Sequence, residues 1–92
     1  MFTEIDAVLE QAAAQEGLHW VHEYRGEEVR SAEVPLSKGM SAQVWVECTQ
    51  DGFDVCAWDR KSRRTRASAT LRNLPDALSS VIATARSWSS AF

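Results

Sequence analysis

Between Ser41 and Asp59 the chain alternates strictly between apolar and mixed positions. Val44, Val46, Cys48, Val55 and Ala57 fall on one parity, and Trp45, Glu47, Thr49, Asp54, Cys56 and Trp58 on the other. A period of two marks β-strands with one face buried and one open. Asp51-Gly52 interrupts the alternation and supplies the residue types that a two-residue type I′ hairpin loop needs. The pattern therefore predicts a hairpin in which Gln50 faces Phe53, Thr49 faces Asp54, Cys48 faces Val55, Glu47 faces Cys56, Val46 faces Ala57 and Trp45 faces Trp58. The apolar set is assigned to the core and the mixed set to the open face of an antiparallel sheet. In this register the two tryptophans form a non-hydrogen-bonded pair, where a cross-strand aromatic contact contributes about 0.5–1 kcal/mol.

Helical periodicity appears at both ends. Over Phe2–Gln15, Ile5, Val8, Leu9, Ala12 and Ala13 form one stripe, and Glu4, Asp6, Glu10, Gln11 and Gln15 face water. Thr3 is the expected N-cap, with Asp6 three residues on, and Gly17 is the expected C-terminal stop. Near the other end, Asn73 is the expected cap and Pro75 lies in the first turn. Leu74, Leu78, Val81, Ile82, Ala85 and Trp88 form the apolar stripe, opposite a polar but nearly uncharged face of Ser79, Ser80, Thr84 and Ser87.

Three further strands are expected. Leu18–Tyr24 is aromatic-rich and is followed by a tight connection at Arg25-Gly26-Glu27. Glu28–Leu36 places Val29 on one face and Ala32, Val34 and Leu36 on the other, with Pro35 marking an edge or a strand end. After a turn at Ser37-Lys38-Gly39, the central hairpin and a loop at Arg60–Arg63, Arg64–Leu71 forms the last strand. There Ala67, Ala69 and Leu71 continue the core face, and Arg64, Arg66, Ser68 and Thr70 the open one. Short connections favour a meander. The expected fold is a single α+β domain over residues 1–92. It is a two-layer sandwich with a five-stranded antiparallel meander sheet and the N- and C-terminal helices on one face, in the order α-β-β-β-β-β-α.

Composition narrows the function classes. Ninety-two residues leave no room for two cores. No apolar run reaches the roughly 18 residues of a membrane span. The opening MFTEIDAVLE is acidic and amphipathic, so a signal peptide is not expected and the cytoplasm is the expected location. Cys48 and Cys56 point to opposite faces, which argues against an internal disulfide, and their spacing is not that of a zinc site. Cys48 reads as a small core residue and Cys56 as a thiol on the open face. Net charge is −3 but unevenly spread. Through Ala57 eleven acids stand against three bases, a balance of −8. From Trp58 onward seven bases stand against two acids, a balance of +5. Dipolar chains of this kind associate through complementary patches.

No catalytic constellation is grouped in the sequence. His19 and His22, three apart on a strand, project to opposite faces and cannot share a metal. There is no phosphate-cradling glycine loop and no serine-nucleophile motif. No cofactor, no metal and no enzymatic activity are expected. The segment Arg60–Arg66 is the densest charge run, read first as a solvated loop and second as an acid- or phosphate-binding patch. Arg64 and Arg66 share a face with Trp58, which allows guanidinium–indole stacking.

The layout, a small acidic α+β chain without grouped catalytic residues, is similar to that of many bacterial inhibitor, immunity and adaptor proteins. The leading expectation is a non-enzymatic protein-binding module of that kind, using the open sheet face through Trp45, Glu47, Trp58, Arg64 and Arg66. Its partner would be another protein, a second copy of the chain included, which would make a homodimer. Single-stranded nucleic acid on the same Trp/Arg face is the second reading, weighed down by the acidic composition. A small enzyme ranks third.

Overall fold

A computed structural model describes residues 2–18, 20–22 and 29–91. It is an α+β fold built on an open antiparallel sheet with two helices. The helices are α1 (Phe2–Glu16) and α2 (Leu74–Ser87). Four strands of six to nine residues make the sheet: β2 (Val29–Pro35), β3 (Ser41–Thr49), β4 (Gly52–Trp58) and β5 (Arg64–Ala69), side by side in chain order. Of the strand expected over Leu18–Tyr24, the described residues contribute β1 (Val21–His22), which pairs with β2 through Val21–Ser31 and His22–Arg30. Leu18 is used instead to close α1: Gly17 takes φ 72° and the Leu18 N–H donates to the Ala13 carbonyl over 2.8 Å. His19, the Arg25-Gly26-Glu27 connection and Phe92 lie outside the described residues, as do the side chains of Thr3, Ile5 and His22.

The hairpin forms between the expected strands with a different register. Thr49 faces Gly52, Cys48 faces Phe53, Glu47 faces Asp54, Val46 faces Val55, Trp45 faces Cys56, Val44 faces Ala57 and Gln43 faces Trp58. The loop is Gln50-Asp51, not Asp51-Gly52, and neither loop residue has a positive φ, so the turn is not type I′. Gly52 belongs to β4, at φ 155°, where a Cβ would run into the backbone carbonyl oxygen of Ala69 on β5. The glycine is thus required by a close approach of two strands, not by the turn. Each strand shifts by one residue, so every pair keeps its faces and only the partners change.

Val44, Val46, Val55 and Ala57 are fully buried, joined by Ala42 and by Phe53, which now lies opposite Cys48. Across from them α2 presents Leu74, Leu78, Val81, Ile82 and Ala85, all buried, and Trp88 follows at the start of a 3-10 turn. Helix α2 lies over β4 and β5 and also reaches β2 and β3. Helix α1 packs mainly against α2, so the two helices do not share the sheet as an even second layer. Among its described side chains Leu9 and Ala13 are buried, and Val8 and Ala12 half-buried. Asp6, expected in water, instead accepts a hydrogen bond at 3.3 Å from Nε of Arg30, a β2 residue on the core face with a side chain 4% exposed.

Two local expectations change at the β5–α2 junction. Asn73 sits at the N-cap position but makes no side-chain cap bond. Its Oδ1 turns back to accept from the Thr70 N–H (2.7 Å) and hydroxyl (3.2 Å), which ends β5 at Ala69. Leu71 is therefore in the turn and 45% exposed, not on the core face.

The faces and the close approach give a direct test by thermal melting. Val46→Asp buries an unpaired charge and should unfold the protein, whereas Thr49→Asp, at an exposed position, should cost less than about 1 kcal/mol. Gly52→Ala should cost more than about 1 kcal/mol although its position borders an exposed turn.

Candidate functional site

The open face can be read row by row across the ladder. Glu33, Gln43, Trp58 and Arg64 form one row; Ser31, Trp45, Cys56 and Arg66 the next; Val29, Glu47, Asp54 and Ser68 the third. The sheet thus brings Trp45, Glu47, Trp58, Arg64 and Arg66 onto one surface. Its acids stand on β2, β3 and β4, and its bases on β5.

Trp45 and Trp58 are not a cross-strand pair. The register places Trp45 opposite Cys56 and Trp58 opposite Gln43, so the tryptophans are diagonal neighbours, roughly 7–8 Å apart in such a ladder. Both are partly exposed. The Trp45 indole N–H donates to Oε1 of Glu47 at 2.8 Å, which fixes the ring along β3. The Trp58 indole N–H is buried without a hydrogen-bond partner. A buried unpaired donor costs about 1–3 kcal/mol. Its ring is held from the other side by Arg64, the residue directly opposite on β5, whose guanidinium carbon lies 5.5 Å from the ring centroid.

Between the Trp45 ring and the two arginines lies a shallow basin of about 320 Å³, lined by Trp45, Cys56, Ala57, Arg64, Thr65 and Arg66. Neither Cys56 nor Cys48 is in a disulfide. Burial, together with the neighbouring Glu47 and Asp54 carboxylates, pushes the Cys56 thiol above its ordinary range, and Arg66 opposes this only in part. The thiol in the basin is thereby biased toward its protonated form.

The basic run of Arg60–Arg66 is wired into the fold. Asp59, 3% exposed, is the centre of its loop. Oδ1 of Asp59 accepts from the N–H groups of Lys61 (2.8 Å) and Arg63 (3.0 Å), and the Asp59 N–H donates to the Arg63 carbonyl (3.1 Å). Arg60, at φ 70°, reaches Glu33 of β2 over 3.0 Å. Arg63 donates to the Trp88 carbonyl (3.4 Å), and Arg66 pairs with Asp54, which also accepts from Ser68. Asp59 stands in the sequence as an acid bordering the basic run, without its role at the centre of the loop, and Arg30 is not singled out there at all. Parity does place Arg30 on the core face of β2, which is the one signal that could have singled it out.

Among the described residues no three His, Cys, Asp or Glu side chains come together as a metal site, and no helix is long and apolar enough to cross a membrane. No known family, no curated protein and no solved structure matches the chain.

Burial pulls the Asp59 carboxyl upward, but the N–H groups of Lys61, Arg63 and Ser62 and the Arg63 charge outweigh it, and the carboxyl stays below the usual aspartate range. A lowered folded-state value adds stability above the unfolded-state range and loses it as pH falls through the folded value. The advantage of the wild type over Asp59→Asn in chemical denaturation should therefore be full at neutral pH. It should shrink as the pH drops through and below the ordinary aspartate range.

Proposed function

We propose that this chain is a small non-enzymatic protein-binding module, of the inhibitor, immunity or adaptor kind, and that its open sheet face meets the partner. The observation that carries this reading is the basin between Trp45 and the Arg64–Arg66 column, with Trp58 stacked under Arg64 beside it. Tryptophan and arginine set around a pocket that a partner can desolvate are the residues that dominate protein interfaces. The rings are already oriented, Trp45 by Glu47 and Trp58 by Arg64, so little ordering is left to binding.

The same contacts speak against proton-transfer chemistry on this face. Glu47 is engaged by Trp45, Asp54 by Arg66 and Ser68, and Glu33 by Arg60. They also weaken the nucleic-acid reading, because Arg60 and Arg66 already face Glu33 and Asp54 and three carboxylates share the surface. The partner is another protein, and a second copy of the chain is one form of it.

Affinity capture from the native host should yield a protein that wild type retains. Trp58→Ala and Trp45→Ala should each weaken its binding by about 2 kcal/mol, close to thirtyfold, while melting remains cooperative. Sedimentation of the pure protein separates the homodimer from a foreign partner, since a strict monomer leaves only the latter. A titration at low salt in which short oligonucleotides bind and protein capture fails would replace this reading with the nucleic-acid one.

A further inference from the structure

The sheet ends at β5, and the outer edge of that strand is open. Strand order places β4 on one side of β5 and no described strand on the other. The hydrogen bond from the Asp59 N–H to the Arg63 carbonyl sets the alternation along the β4–β5 ladder, in which Asp59 and Arg63 form a hydrogen-bonded pair. Trp58–Arg64, Cys56–Arg66 and Asp54–Ser68 are then non-hydrogen-bonded pairs, and Ala57–Thr65, Val55–Ala67 and Phe53–Ala69 are hydrogen-bonded ones. The same parity follows from the Gln50-Asp51 loop on the other side of β4, where Thr49–Gly52 is a hydrogen-bonded pair. Thr65, Ala67 and Ala69 thus spend their backbone groups on β4. The N–H and C=O groups of Arg64, Arg66 and Ser68 point away from the sheet, and no backbone group among the described residues meets them.

An unpaired edge is a template for another strand. Who can occupy it is decided by charge. Arg64 and Arg66 project from this edge strand on the open face, and Arg66 is exposed even while paired with Asp54. A second copy is disfavoured. Antiparallel pairings of β5 with itself that keep the two faces matched set an arginine of one copy opposite or diagonal to an arginine of the other, save a short overlap centred on Ser68. Like charges directly opposite are destabilising, which is a common way of guarding an edge against self-association.

We propose that the β5 edge accepts an extended acidic segment of another protein by antiparallel strand addition. Its backbone would pair with Arg64, Arg66 and Ser68, and carboxylates at alternate positions would lie on the open face against the two arginines. The edge shares Arg64 and Arg66 with the tryptophan surface, but its backbone pairing does not depend on Trp45, so loss of backbone protection and loss of the Trp45-dependent partner are read separately.

The probe is a seven-residue capped peptide alternating Glu and Val, added to the uniformly 15N-labelled full chain. Amide exchange at Arg64, Arg66 and Ser68 should slow by about tenfold or more near saturation. Thr65, Ala67 and Ala69, already bonded to β4, should not change. A peptide with Lys for Glu should bind at least about tenfold more weakly. N-methylation at the Glu positions keeps the charge and removes the pairing N–H groups, so it should abolish the protection. Ser68→Pro removes an outward N–H and should weaken the peptide, while Trp45→Ala should leave peptide binding within about twofold and lose only the partner of the face. Should Ser68→Pro fail to fold, the N-methylated peptide tests the same backbone pairing on the wild-type chain. Protection without alternation, equal binding of the lysine or N-methylated peptide, or no protection would overturn the proposal. Concentration-dependent protection of these amides without peptide would overturn it too, in favour of a second copy.

Discussion

The seam between the β3–β4 hairpin and α2 carries the structure. Val44, Val46, Val55 and Ala57 are sealed on one side of the sheet, and Leu74, Leu78, Ile82 and Ala85 seal them from the other. Transfer of such side chains from water supplies about 1.5–3 kcal/mol each for the larger ones, the largest favourable contribution available to a chain this short. Everything on the open face is a consequence, since each residue that points into the seam forces its neighbours outward. The surface that gathers Trp45, Trp58, Arg64 and Arg66 is the reverse side of the core.

That constraint explains what could be read from the sequence. Alternation placed eleven hairpin residues on their faces, though it left Ala42 and Phe53 unassigned, and helical spacing found the six buried apolar positions of α2 and its 3-10 extension. The partner of each residue was less legible. Asp-Gly is a strong hairpin signal, yet Gly52 answers to Ala69 on the next strand, a contact made seventeen positions away in sequence. Likewise the cap expected of Asn73 gives way to Thr70, because the hydroxyl and N–H of a strand end compete for the same carbonyl oxygen. Where a polar group has two acceptable partners, propensity does not choose between them. The pairing of Trp45 with Trp58 was lost by that slip, but their membership of one surface was not.

The candidate surface was legible as a set of residues and illegible as a circuit. A balance of −8 in one part of the chain and +5 in the other suggests separate acidic and basic patches. Folding instead brings the two together: Arg60 to Glu33, Arg66 to Asp54, and Arg86 to Glu16 between the helices. Exposed pairs of this kind contribute little to stability. Their effect is to consume charge locally, so the field outside the molecule is weaker than the linear sequence implies. Asp59 does the same inside the loop, where its carboxylate gathers the N–H groups of Lys61 and Arg63.

The strict alternation of the hairpin has an evolutionary corollary. Moving each strand by one residue alters the pairing sum by two and leaves the inside inside. A single inserted or deleted residue within β3 or β4 would invert every side chain beyond it. Among descendants of this gene, length changes within these strands should therefore survive in twos, whereas single ones should be confined to the Gln50-Asp51 loop or absorbed by a bulge.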